Sequence, residues 1–81
     1  MKILIVEDDA KVGSFLKENL GRENYEVSLI DTFSELEKFI ASPDYTPSLI
    51  IMDRLLGNDD TKNIINKLSS AYHQTILLAG S

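Results

Sequence analysis

Lys2-Ile3-Leu4-Ile5-Val6-Glu7-Asp8-Asp9 opens the chain with a continuous run of branched apolar residues that stops at three acids. A strand with one wet face alternates apolar and polar residues. An unbroken run is the signature of a strand covered on both faces, as in a parallel sheet packed between helices. Leu49-Ile50-Ile51-Met52-Asp53 repeats the pattern and again ends on a carboxylate.

Between these runs the spacing predicts helix, strand, helix. Over residues 10–20, Val12, Phe15, Leu16 and Leu20 recur at helical intervals; Asp9 can cap the start and Gly21 can end the helix. Residues 25–30 read as a strand with Tyr25, Val27 and Leu29 on one face. Thr32-Phe33-Ser34-Glu35 has the spacing of a capping box and opens a helix carrying Leu36, Phe39 and Ile40. Ser42-Pro43 and Thr46-Pro47 close it and lead into the third strand. Past Asp53, the stretch Gly57-Asn58-Asp59-Asp60 reads as a polar, flexible loop. A third helix is expected over residues 61–71, with Ile64, Ile65 and Leu68 inward, then a fourth strand over 75–79. This β-α-β-α-β-α-β alternation implies an α/β parallel sheet with right-handed crossovers; a doubly wound, flavodoxin-like sheet of order 2-1-3-4 is one arrangement open to such a chain.

The 81 residues make one domain at most, with 43% hydrophobic and 26% charged residues, a composition ordinary for a globular protein. The net charge is -5 and the eight basic residues are scattered, which argues against direct nucleic-acid binding and suits a cation site. No cysteine is present, excluding disulfides and thiolate zinc sites, and no apolar run exceeds four residues, far short of a membrane span. The cytoplasm is the default compartment. Neither G-x-x-x-x-G-K-[ST] nor G-x-G-x-x-G occurs, which disfavours a nucleotide-binding or cofactor-dependent enzyme on this architecture.

Ligands of open parallel sheets bind outside the carboxyl ends of the strands, where strand order reverses. In a 2-1-3-4 sheet that point lies between the two strands that end in carboxylates, so Glu7, Asp8 and Asp53 are expected in one pocket. Carboxylates so close repel, and one would hold its proton unless a hard cation such as Mg²⁺ intervenes. The plainer reading, that an acid after a strand caps the next helix, applies best to Asp9.

These residues resemble the receiver domains of two-component response regulators. The resemblance rests on the opening run with its acidic pair, on Leu49-Ile50-Ile51-Met52-Asp53, and on Asn24-Tyr25-Glu26-Val27 at the entry to the second strand. It implies that Asp53 is the phosphoacceptor, taking a phosphoryl group from a sensor histidine kinase or a small acyl phosphate. It also implies that Asp8, Asp53 and the main-chain carbonyl of Leu55 ligate Mg²⁺, with Glu7 acting through a metal-bound water. The activity would be at most self-catalysed phosphorylation and dephosphorylation of an aspartate.

The sequence departs from that pattern in several places. Gly57 stands where receivers usually have proline, and Thr61 where they often have glycine; Thr61 is a candidate cap for the third helix. The switch hydroxyl expected at the end of the fourth strand is replaced by Ala79 or Gly80 if strands are aligned, whereas spacing from Asp53 points to Ser81, the candidate able to donate. No lysine follows Lys67, so the receiver's catalytic lysine is expected to be missing. The resemblance thus implies a receiver domain over residues 1–81, incomplete and ending at its fourth strand. An exposed fourth strand would invite self-association, and the alternative function is a non-phosphorylated interaction or dimerisation module. Arg54 and His73 read as solvated surface residues.

Overall fold

The computed structural model describes residues 1–42, 45–53, 55–56, 59–61, 64 and 75–79. In chain order these form β1 (Lys2–Val6), α1 (Ala10–Arg22), β2 (Glu26–Ile30), α2 (Phe33–Ala41), β3 (Leu49–Asp53), β4 (Leu55–Leu56), β5 (Asp59–Asp60) and β6 (Thr75–Ala79). Four of the strands build one parallel sheet in the order β2-β1-β3-β6. This is the expected 2-1-3-4 arrangement, with β6 as the fourth strand of the main sheet.

Both faces of β1 are buried, which accounts for its unbroken apolar run. Leu4 and Val6 join Leu36, Ile50, Met52 and Ile64 in one core, against which Ile30, Phe33, Phe39 and Ile40 of β2 and α2 pack. Ile3 and Ile5, pointing the other way, are equally buried. Gly13 lets α1 lie close on β2, because a Cβ there would stand 3.1 Å from Leu29 Cδ1.

The helix starts follow their caps. Asp9 Oδ1 accepts from the amides of Lys11 at 2.9 Å and Val12 at 3.3 Å, and Thr32 Oγ1 accepts from Glu35 N at 3.2 Å. Glu35's carboxylate lies 3.6 Å from Lys38.

Three expectations change. First, α1 continues through Gly21 to Arg22, and the left-handed position falls to Asn24, at φ 66°. Asparagine tolerates that conformation, and the amides of Glu23 and Asn24 close the turn on the carbonyls of Leu20 and Gly21, each at 3.1 Å. Second, Tyr25 precedes β2 and is exposed. Third, Asp59 and Asp60 form β5, paired antiparallel with β4 in a short ribbon. In sequence, the two residues between these strands, Gly57-Asn58, are a hairpin-type pair, but strands of two residues are too short to show a pattern. Gly57 itself, Arg54, Lys67, His73 and Ser81 lie outside the described residues, as does most of the expected third helix; Ile64 is helical and in the core.

Candidate metal and phosphoacceptor site

Parallel pairing of β1 with β3 decides what meets at the carboxyl edge of the sheet. Val6 is in register with Met52, so one further step along each chain sets Glu7 beside Asp53. Glu7's amide donates to Ile30 O at 2.9 Å, which prolongs the β1–β2 ladder by one residue and fixes the Glu7 backbone. Asp8 follows at once, and Asp9 turns away to cap α1. Glu7, Asp8 and Asp53 each offer an oxygen, and these oxygens lie within 4.8 Å of one another.

Glu7 and Asp53 are half-buried and Asp8 is exposed. The first two share a small recess with Ile5, Val6, Val12, Leu16 and Ile51. Burial there, then a hydrogen bond with Asp53 and the charges of Asp53, Asp8 and Asp9, raise the Glu7 pKa from 4.5 to about 7. One Glu7 oxygen, Oε2, is buried with no hydrogen-bond partner.

A buried, unpaired acceptor inside a cluster of like charges costs stability in the absence of a cation. A hard divalent ion fits such an all-oxygen set, using one or two carboxylates directly and others through water. Leu55 lies at the start of β4, two positions past Asp53, with its backbone paired to Asp60. A larger cavity of about 310 Å³, on the α2 side, is lined by Leu4, Ser28, Ile30, Phe39 and Tyr45 among others. It includes none of the three clustered carboxylates, so the chemistry is placed at the smaller recess.

Two further features bear on the site. Thr61 is wholly buried, and its hydroxyl donates to the main-chain carbonyl of Asp53 at 2.9 Å. Sequence reading placed Thr61 only as a helix cap and missed this bond. At the far side of β3, Ala79 of β6 is in register with Asp53. Of the two alignments open for the switch hydroxyl, the register thus sets an alanine level with the acceptor.

No protein-family model matches the sequence. Solved structures do resemble the chain. The non-phosphorylated receiver domain of HemR from Leptospira biflexa superposes with TM-score 0.79 at 27% identity, over 99% of this chain and 67% of that one. The BeF3-activated N-terminal receiver domain of RstA from Klebsiella pneumoniae gives TM-score 0.80 at 27% identity, over 100% of this chain and 70% of its own. A response regulator protein from Burkholderia pseudomallei, with a phosphorylated aspartic acid, a calcium ion and citrate, shares the fold with TM-score 0.82 at 24% identity. The match covers 95% of this chain and 45% of that protein. Strand order, the acids gathered at its reversal and the likeness to HemR and RstA together make this chain a CheY-like receiver domain of the response-regulator kind.

Proposed function

We propose that the chain is a Mg²⁺-dependent phosphoacceptor in a cytoplasmic two-component system, with Asp53 as the residue modified. The observation that carries this reading is the meeting of Glu7, Asp8 and Asp53 oxygens within 4.8 Å at the carboxyl ends of β1 and β3. Asp8 and Asp53, with the Leu55 carbonyl, would hold the ion directly, and Glu7 would hold a water on it. When bound, Mg²⁺ supplies positive charge to the cluster and to the oxygens of the transferred group. The phosphorylated aspartic acid and calcium ion of the Burkholderia protein lend support at the level of fold.

Asp53's part is nucleophilic. A carboxylate oxygen attacks the phosphorus of a phosphohistidine on a sensor kinase, or of a small acyl phosphate. The bond from phosphorus to the donor nitrogen or oxygen breaks, and the donor keeps the electron pair; a phosphohistidine nitrogen then takes up a proton. The recess around Glu7 and Asp53 limits water on one side of the acceptor.

Treating the protein with acetyl phosphate, with and without Mg²⁺, and recording intact mass tests this. The wild type should gain one phosphoryl group only with Mg²⁺, and Asp53→Asn should gain none. An unmodified wild type under saturating donor and Mg²⁺ defeats the proposal. A second reading, an interaction module that self-associates along β6, is favoured by one observation: among the described residues, β6 has β3 as its single sheet neighbour.

A further inference from the structure

Thr61 is the wholly buried polar side chain among the described residues. Its hydroxyl reaches back to the Asp53 carbonyl at 2.9 Å, while its own carbonyl accepts from Ile64 N at 3.0 Å. Ile64 is anchored in the core beside Met52 and Leu36. Thr61 therefore joins three things: the last residue of the acceptor strand, the end of the β4–β5 ribbon, and the main hydrophobic core. The ribbon that carries Leu55 leaves the sheet at Asp53 and returns at Thr61, and the hydroxyl bond closes that excursion at its base. A glycine here, as receivers often carry, could not make the bond.

We propose that Thr61 is a positioning residue for the acidic site, its hydroxyl fixing the Asp53 backbone and the ribbon so that the Asp53 carboxylate and the Leu55 carbonyl face Glu7 and Asp8 together. The inference rests on the metal-site reading above. Its physical basis is that a hydrogen bond from a wholly buried hydroxyl restrains both its ends, and that removing the hydroxyl forfeits this restraint while the surrounding packing stays. A positioning error of this kind degrades a site whose ligands come from separate strands, even in a folded protein.

The discriminating pair is Thr61→Val, which keeps the shape and removes the donor, and Thr61→Ser, which keeps the donor and removes a methyl. Mg²⁺ affinity is measured by calorimetry at a temperature where circular dichroism shows each protein folded. Amide exchange over 55–60 is followed in the metal-free proteins. Thr61→Val should bind Mg²⁺ about five- to tenfold more weakly, the loss of roughly one hydrogen bond, and exchange faster in the ribbon than in β1. Thr61→Ser should stay within about twofold of wild type on the same scale. Equal affinity and equal ribbon exchange in Thr61→Val overturn the proposal, as does a loss in Thr61→Ser as large as in Thr61→Val. Should Thr61→Val not fold, Thr61→Ala removes the same donor without setting a second methyl against the carbonyl. If the wild type binds no Mg²⁺, the metal reading falls by itself. Ribbon exchange still judges the strut, and unchanged exchange in Thr61→Val rejects it.

Discussion

Glu7 concentrates the electrostatics of the site in one titration. Its carboxyl is raised to about 7, by burial first and by Asp53, Asp8 and Asp9 after that. The metal-free folded protein therefore keeps a proton that the unfolded chain releases near pH 4.5. Because the folded state binds more protons over this window, stability should fall as pH rises from about 4.5 to about 7 and level off above it. Urea unfolding at a series of pH values should show that slope, and Glu7→Gln should flatten it. Asp53→Asn should lower the Glu7 pKa only part of the way in a carbon-detected NMR titration, since burial remains; a full return to 4.5 would show that charge, not burial, dominates. At this scale the sequence was informative about charge and silent about geometry. Runs ending in acids exposed Glu7, Asp8 and Asp53. Thr61's bond to a main-chain carbonyl eight positions back follows no period, so nothing in the spacing could announce it.

At the scale of elements, α1 shows where local rules compete. A glycine near a helix end is a common stop signal, yet Gly21 sits inside the helix and Asn24 takes the left-handed turn. Arg22 and Glu18, 2.6 Å apart and one turn removed, draw the last turn on. A Cβ at Gly21 would meet nothing within 4 Å, so the glycine fills no packing need. Gly21→Ala should raise stability by about 0.5–1 kcal/mol through helix propensity, read as a higher denaturation midpoint at unchanged slope; no gain would mean that the end of α1 is frayed in solution. The strands and both helix starts were legible because their signals are strong and agree: buried runs for β1 and β3, and Asp9 and Thr32 as caps. The β4–β5 ribbon was not, since two residues a side are too few for alternation to show.

For the whole molecule, the order β2-β1-β3-β6 matters more than any single contact. It puts the two acid-ended strands side by side and leaves β2 and β6 flanking them. On α1, Phe15 is 64% exposed and Val12, at the rim of the acidic recess, 42% exposed despite their helical spacing with Leu16. Among the described residues β2 and β6 each have a single sheet neighbour, and open strand edges with exposed apolar side chains favour association. The self-association reading therefore predicts a scattering mass that climbs with protein concentration and falls on Phe15→Ser or on adding a charge along β6. A constant monomer mass across that range removes this reading and leaves the phosphoacceptor reading standing. Topology was the most legible level of all, because alternating strands and helices allow few right-handed arrangements.

The β1–β3 pairing also carries a kinetic consequence. Ile3 lies against Leu49 and Val6 against Met52, 46 positions apart in each pair, so the two halves of the acidic site meet only after the intervening segment has been made and folded back on β1. Such non-local closure is slow to form compared with a helix or hairpin. During synthesis the first strand waits, apolar and unpaired on one side, until β3 leaves the ribosome and docks. The acidic site then serves as a marker of completed folding, because a chain stalled before Asp53 has no means of assembling it.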